Sequence, residues 1–333
     1  MQTRQWGTSD LVTSSIGFGT WPIGGTTVKD GYGGVDDDEA IAAINQALDL
    51  GVTCFDTAPA YGRGRAEALL GRALGARRKE VIVVTKCGIP YQEHTDSYGR
   101  NATYDEIISS TEESLRQLGS DYIDVLLIHW PDVNTPAAET MRALNGLREA
   151  GKIRHAGVSN FSNAQLTDCL QYGPLVCNQV GYNLFDRRRE AETFAFCREH
   201  GIGVMAYGPL AHGLLSGTFT RETTFGEHDW RAGGKAFGLP IFEHDNLLKN
   251  VAVVDELQAF AAERGHTVAQ LALAWALRNP AVSVALVGAR KSDEIATALP
   301  AAEWHLSDAD VATIARIMAG AAGTEAWVVR RES

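Results

Sequence analysis

Eight short apolar runs alternate with stretches of helical periodicity along this chain, and this alternation restricts the fold more than any other feature. Each run is nearly continuous in apolar residues, as is typical of strands buried on both faces of a parallel sheet. The predicted strands are 16–21, 52–56, 81–86, 124–129, 154–159, 176–179, 203–207 and 282–287. We therefore predict an α/β fold, a (β/α)8 TIM barrel.

The segments between the runs complete this prediction. Helices are predicted from Asp36 to a C-terminal Gly51, from Ser292 onward, and at 65–74, 105–118, 136–150, 163–170, 189–200, 248–264 and 268–279. A β-hairpin over 1–13 is expected to plug one end of the barrel, and the C-terminal part holds more helices than the repeat needs. The connection 218–246 is long enough to indicate either a functional loop or a disordered one. A doubly wound open sheet is the alternative, but no early strand is followed by G-x-G-x-x-G.

Composition narrows the class of protein. The 333 residues are compatible with one barrel domain over 1–333, and the net charge of −11 opposes binding to nucleic acid or anionic membranes. The sequence has no apolar run of membrane-spanning length and no signal-peptide core, which indicates a cytoplasmic protein. The five cysteines form no C-x-x-C pair, so we expect buried thiols and no metal site. The composition leaves open whether the protein is a monomer or a homo-oligomer.

Polar and ionisable side chains stand at the carboxyl ends of the predicted strands, where a parallel barrel gathers its functional groups. They are Asp56, Lys86, His129, Ser159, Asn160, Gln179 and Tyr207, and Tyr61 lies in the loop after Asp56. Four of them have a stated structural alternative: Asp56 as a helix cap, Lys86 in a rim ion pair, His129 in the core and Tyr61 in loop packing. Their shared position at one rim favours a catalytic site.

The chemistry that uses these residue types together is proton transfer to an oxygen. A tyrosine with an ordinary pKa near 10 is a weak acid, and an adjacent ammonium stabilises its phenolate. We expect Lys86 to supply the ammonium and Asp56 to hold that lysine charged and in place. His129 is expected to orient a carbonyl group or share the proton. General acid catalysis of this kind contributes roughly 10²- to 10⁴-fold in rate.

The motifs around these residues resemble the aldo-keto reductase family. The tetrad Asp56, Tyr61, Lys86 and His129 lies in the contexts Phe-Asp-Thr-Ala at 55–58, Tyr-Gly-Arg-Gly at 61–64 and Ile-His-Trp-Pro at 128–131. Further matches are Leu-Gly-Ser-Asp-Tyr-Ile-Asp at 118–124, Gly-Val-Ser-Asn-Phe at 157–161 and Tyr-Gly-Pro-Leu at 207–210. The likeness runs from Gly7 to about Leu306, nearly the whole chain.

The resemblance implies an NAD(P)H-dependent reductase of aldehydes or ketones, reversible toward alcohol oxidation, in which Tyr61 is the proton donor. The implied cofactor-binding residues are Gly19, Thr20, Trp21, Asp56, Ser159, Asn160, Gln179, Tyr207, Gly208, Pro209, Leu210, Gly213, Leu215, Gly288, Arg290, Lys291 and Glu294. The two cations suit the 2′-phosphate of NADPH, which we expect to be the cofactor. Glu294 departs from the Gln or Arg common in the family, so NADH remains possible.

The resemblance also implies a small-molecule carbonyl substrate, and the residues expected to contact it are Trp21, Tyr61, His129 and Trp130. A second class of function fits the same motifs. Potassium-channel β-subunits of this superfamily keep the tetrad but act as cofactor-binding regulatory modules that report redox state. No sequence feature of this chain points to a membrane partner.

Overall fold

The structure, a computed structural model, describes residues 1–25, 34–226 and 229–324. Its strands are β1 Thr3–Gln5, β2 Val12–Ser14, β3 Ile16–Gly19, β4 Cys54–Asp56, β5 Ile82–Cys87, β6 Tyr91–Gln92, β7 Ser97–Tyr98, β8 Ile123–Ile128, β9 Ile153–Ser159, β10 Cys177–Gly181, β11 Gly203–Tyr207 and β12 Val282–Gly288. Eight of them form a closed barrel in the order β3, β4, β5, β8, β9, β10, β11, β12. All neighbours are parallel, and β12 pairs with β3 to close the circle. The predicted (β/α)8 barrel is confirmed.

Helices cover the outside of the barrel. Those of the described residues are α1 Asp37–Asp49, α2 Arg65–Leu74, α3 Tyr104–Leu118, α4 Ala137–Glu149, α5 Asn163–Leu170, α6 Thr193–Glu199, α7 His244–Ala262, α8 Val268–Arg278, α9 Ser292–Ala298 and α10 Asp308–Met318. The first begins where its sequence predicts, because the Asp36 carboxylate accepts hydrogen bonds from the backbone N–H groups of Asp38 and Glu39. None of the helices among these residues is long and apolar enough to cross a membrane.

Two predicted boundaries were wrong. The helix predicted at 248–264 begins at His244, inside the predicted long connection. The helix predicted at 189–200 is only Thr193–Glu199. The small antiparallel pair of β6 and β7 was not predicted, because two-residue strands give no measurable periodicity. The two successive helices α7 and α8 were predicted as such.

The N-terminal hairpin closes the amino-terminal end of the barrel, as predicted. Trp6 and Leu11 are buried in one cluster with the inward-facing residues of the barrel strands. The Arg4 guanidinium donates to the carbonyl of Val282 at 2.8 Å, at the start of β12. Gly7 has φ of +54°, and a Cβ there would lie 1.9 Å from a backbone oxygen before β11, so this contact requires glycine. The hairpin leaves open the opposite end of the barrel, where the strands have their carboxyl ends and where the predicted site residues lie.

Candidate active site

Lys86 lies at the centre of the polar groups inside the carboxyl rim. Its ammonium donates to Asp56 Oδ1 at 2.7 Å, to the carbonyl of Thr57 at 2.8 Å and to the hydroxyl of Tyr61 at 3.2 Å. The Lys86 side chain is fully buried, and Asp56 is nearly so. Strand polarity explains the meeting, because Asp56 ends β4, Lys86 stands near the end of the adjacent β5, and Tyr61 follows in the loop after β4.

Burial and charge oppose each other in this ion pair. Burial lowers the pKa of Lys86, and the Asp56 carboxylate counteracts the change. Burial likewise raises the pKa of Asp56, which the Lys86 ammonium counteracts. Each charge therefore depends on the other, because an isolated buried ion is strongly disfavoured.

His129 follows directly after β8 and completes the predicted tetrad. Its imidazole meets the Tyr61 ring edge-on, with 5.9 Å between the ring centres. Burial, and then repulsion from Lys86, lowers the pKa of His129 well below its ordinary value. The ring is therefore neutral, with one nitrogen that donates and one that accepts. Its buried Nδ1 has no hydrogen-bond partner among the described residues.

A chain of polar side chains continues from Asp56 across the barrel. Gln179 Nε2 donates to the second carboxylate oxygen of Asp56 at 2.7 Å, which the sequence reasoning did not foresee. Ser159 donates to the carbonyl of Gln179 at 2.9 Å. Asn160 Nδ2 donates to Ser159 Oγ at 3.0 Å, and Asn160 Oδ1 accepts from the hydroxyl of Tyr207 at 3.0 Å. The residues expected at the cofactor carboxamide thus form one network with the tetrad.

The loop after β11 carries the next group of predicted cofactor residues. Gly208 and Gly213 have φ of +61° and +101°, and Leu215 is buried beneath the loop. A Cβ on Gly208 would lie 2.8 Å from the His212 ring, so the backbone turn is compact. Pro209 and Leu210 lie between these points, and the carbonyl of Leu210 accepts from the N–H groups of Gly213 at 3.1 Å and Leu215 at 3.0 Å.

The first barrel strand supplies the opposite side of the site. Gly19 pairs with Gly288, which brings the loop after β3 beside the loop after β12. Thr20 is buried, its N–H donates to the carbonyl of Asp56 at 2.9 Å, and its hydroxyl has no partner among the described residues. Trp21 stacks on Tyr61 with 6.2 Å between ring centres. The phenol is therefore covered by an indole.

The segment after β12 combines two cations with a carboxylate. Glu294 Oε2 accepts from the backbone N–H of Arg290 at 2.6 Å and from that of Lys291 at 3.3 Å. Its other oxygen is 3.9 Å from the Arg290 guanidinium. The carboxylate thus lies within the group of donors in which a 2′-phosphate was expected.

Sequence and structure comparisons agree with this geometry. A model of the aldo/keto reductase family matches residues 15–319. The chain belongs to this family. It is 37% identical over 311 residues to the aldo-keto reductase YhdN of Bacillus subtilis, covering 92% of this chain and 91% of that protein. It is 36% identical over 327 residues to the NADH-specific methylglyoxal reductase of Escherichia coli, covering 95% and 97%. The structure of a glycerol dehydrogenase from Gluconobacter oxydans matches with a TM-score of 0.86 at 36% identity, covering 95% of each chain.

Aldo-keto reductases use nicotinamide cofactors, and the residues of this chain fit such a group. Amide, hydroxyl and carbonyl groups cluster beside the Tyr207 ring, which suits a flat ring that carries a carboxamide. The unpaired hydroxyl of Thr20 adds a free donor and acceptor. Within the described ranges no cluster of three or more His, Cys, Asp or Glu side chains could hold a metal ion.

A cavity of about 170 Å³ reaches the tetrad of this aldo-keto reductase from the side of β6 and β7. Its lining includes Lys86, His129, Tyr91 and Tyr98. The Arg63 guanidinium lies 3.6 Å from the centre of the Tyr91 ring and borders the same space. The cavity therefore lies against Lys86 and His129, two residues of the tetrad.

Glu67, on α2, is a second buried carboxyl near the tetrad. Thr85 Oγ1, one residue before Lys86, donates to its Oε1 at 2.6 Å. Burial raises the pKa of Glu67 to about 7, and the Thr85 hydrogen bond opposes this rise. The Glu67 carboxyl is thus partly protonated near neutral pH.

We expect Glu67→Gln to stabilise the protein at pH 8 by up to about 3 kcal/mol and to change little at pH 4.5, the ordinary pKa. The folded state keeps the Glu67 proton at pH values at which the unfolded chain has lost it. The parent therefore loses stability as pH rises from about 4.5 to about 7, and glutamine abolishes this loss. Urea unfolding at several pH values measures the difference. The exposed Glu80→Gln serves as control, and an equal gain at every pH contradicts the assignment.

Sequence reasoning missed two aromatic residues at the barrel mouth. His212 is held edge-on to Trp230 with ring centres 5.1 Å apart, and burial lowers its pKa to about 4. Phe237 stacks on Trp130 with ring centres 6.2 Å apart. Trp230 and Phe237 both come from the long connection predicted at 218–246. The sequence signal that was available there is Gly238, because glycine readily adopts the positive φ found at this position.

Proposed function

We propose that this aldo-keto reductase reduces aldehydes or ketones with NAD(P)H, with Tyr61 as the proton donor to the carbonyl oxygen. The observation that carries the proposal is the buried Lys86 ammonium, which bonds Asp56 at 2.7 Å and the Tyr61 hydroxyl at 3.2 Å. A cation in contact with the phenol stabilises the phenolate that remains after proton transfer. The reaction needs that stabilisation because phenols are weak acids.

The remaining residues of the tetrad orient the substrate and hold charge. Reduced nicotinamide, when bound, would supply the hydride for the carbonyl carbon, and Tyr61 would give its proton to the carbonyl oxygen. The neutral His129 imidazole donates a hydrogen bond to that oxygen and directs it toward the phenol. Asp56 keeps Lys86 charged throughout. In alcohol oxidation the same groups work in reverse, and the Tyr61 phenolate takes the proton.

The same arrangement supports the cofactor-binding roles that the family resemblance implies. Ser159, Asn160 and Gln179 would hold the carboxamide, and the Tyr207 ring would stack on the nicotinamide. The glycine-containing loop at 208–215 would surround the pyrophosphate through its backbone. Trp21 and Trp130 would form the walls on either side of the substrate.

Consumption of reduced cofactor tests the proposal. The purified protein is incubated with NADPH or NADH and with aromatic, aliphatic and sugar aldehydes, and the loss of nicotinamide absorbance is followed. We expect turnover with at least one class of aldehyde. Cofactor binding without turnover of any of them would instead favour a redox-reporting regulatory module.

The residues proposed to contact the adenosine end of the cofactor bear on the preference for NADPH or NADH. Arg290 and Lys291 offer cations to a 2′-phosphate, and we propose that NADPH binds there. Glu294 opposes it, because its carboxylate already bonds the backbone N–H groups of both residues. The preference for NADPH is therefore small.

Two substitutions test this balance in opposite directions. Glu294→Gln is expected to lower the Kd of NADPH about 3- to 10-fold, because it removes one negative charge beside the phosphate at the protein surface. Arg290→Ala is expected to raise the Kd of NADPH by a similar factor. NADH affinity should barely change in either variant. Titration of tryptophan fluorescence with each cofactor gives the four constants, and parallel changes for NADPH and NADH would contradict the assignment.

A further inference from the structure

Phe237 lies at the tip of a tight turn over the barrel mouth. The N–H of Ala236 donates to the carbonyl of Leu239 at 2.8 Å, and the reverse bond is 2.9 Å. Phe237 and Gly238, between them, have φ of +47° and +88°. Positive φ at both central residues is the geometry of a two-residue hairpin turn, and it is costly for phenylalanine. The turn therefore holds this side chain in one direction against local strain.

The position of the turn is fixed from outside. The Arg188 guanidinium donates to the carbonyl of Phe237 at 3.1 Å. The same guanidinium forms two hydrogen bonds of 2.7 Å with Asp186. Such a two-point contact is geometrically specific. The loop after β10 thus anchors the turn of the long connection.

The Phe237 ring contacts five aromatic side chains at the carboxyl-terminal opening of the barrel. Their ring centres lie 5.2–6.3 Å away and belong to Trp21, Trp130, Tyr207, His212 and Trp230. Despite these contacts, 36% of Phe237 is exposed. One ring therefore borders both the proposed nicotinamide partner, Tyr207, and the proposed substrate wall, Trp130.

We propose that Phe237 is a specificity-determining residue that forms the outer wall of the substrate pocket and limits the size of the substituent on the carbonyl. This inference rests on the proposed reductase function. Trp21, Trp130 and Phe237 form one aromatic cluster, and a wall of this composition suits aldehydes with an aryl or short alkyl group better than hydroxyl-rich sugars. Because Phe237 stacks on Trp130, a proposed wall of the pocket, we expect the volume of residue 237 to set the upper size of this substituent.

Opposite changes in the volume of this side chain test the proposal. The ratio of kcat/KM for 2-naphthaldehyde to that for propanal is measured in the parent, Phe237→Ala and Phe237→Trp. We expect the alanine variant to raise this ratio about tenfold and the tryptophan variant to lower it, since a pocket discriminates by about 10- to 200-fold for one methylene group. A ratio that is unchanged, or that moves in the same direction in both variants, overturns the proposal.

A binding measurement with a ligand that does not react tests the size of the pocket independently of the catalytic rate. Calorimetric titration with 2-naphthoate, a carboxylate of the same shape that cannot be reduced under these conditions, should show tighter binding to Phe237→Ala and weaker binding to Phe237→Trp. Tyr172→Ala, an exposed aromatic residue after α5, is the matched control and should behave as the parent. If the parent reduces no aldehyde, the proposed function fails; if it does and the ratios do not diverge, only the role of Phe237 fails.

Discussion

Replacing Tyr61 by phenylalanine is expected to lower kcat for aldehyde reduction by about 10²- to 10⁴-fold, the usual contribution of a general acid. The substitution removes the hydroxyl that accepts from Lys86 at 3.2 Å and leaves a ring that can still stack on Trp21. The geometry of the site is therefore retained while the transferable proton is lost. Steady-state rates with NADPH and an aldehyde that the parent reduces measure the effect.

The affinity of the Tyr61→Phe variant for the cofactor shows whether the substitution removes only the proton donor or also disrupts the binding site. The Kd of NADPH, measured by fluorescence titration, should be the same in Tyr61→Phe and in the parent. Tyr122→Phe, at the amino-terminal end of β8, removes a phenol far from the rim and should leave kcat unchanged. Full turnover by Tyr61→Phe would show that another group gives the proton.

Asp56→Asn is expected to have the largest effect on stability, a loss of about 3–5 kcal/mol in the free energy of unfolding. The substitution leaves the fully buried Lys86 without its counter-charge. The two carboxylate oxygens of Asp56 accept hydrogen bonds from Lys86 and Gln179. Asparagine has one oxygen and one NH2 group, which cannot accept, so one of these two hydrogen bonds is lost. Urea unfolding of the variant and the parent gives the difference.

The pH dependence of this loss identifies its cause. Without the carboxylate, burial is left to lower the pKa of Lys86 in the folded state below the ordinary 10.5 of the unfolded chain. The folded state then binds fewer protons, so the stability of the variant rises with pH up to about 10.5. The deficit relative to the parent should therefore shrink between pH 7 and pH 9. Asp37→Asn breaks the ion pairs with Arg65 and Arg72 near the surface, which solvent screens, and should cost less than about 1 kcal/mol. A deficit that is independent of pH would rule out an unpaired lysine.

The polarity of a parallel barrel explains why part of the site was predictable. Apolar runs that end in a polar residue place that residue at the rim, so Asp56, Lys86 and His129 were brought together correctly without any knowledge of side-chain contacts. The bond between Gln179 and Asp56 was not predictable, because it crosses the barrel between strands that are not neighbours. The position of a residue in the sequence thus predicts that it lies at the rim, but it does not predict which residue it contacts across the barrel.

The aromatic mouth shows a second limit of sequence reasoning. Phe237 lies in a long connection without helical or strand periodicity, and its direction depends on a turn and on a guanidinium from another loop. The carboxylate of Glu294 was noticed as unusual, but its hydrogen bonds to two backbone N–H groups required the conformation around α9. Such positions are set by tertiary contacts rather than by local pattern.

The pairing of β12 with β3 has a consequence for biosynthesis. The ribosome releases β3 early, yet its edge stays unpaired until β12, nearly the whole chain later, has emerged. The loops after these two strands, which hold Gly19 and Gly288 side by side, come together only at that moment. An incomplete nascent chain therefore exposes an open sheet edge, and the two loops of the proposed nucleotide site are not yet side by side.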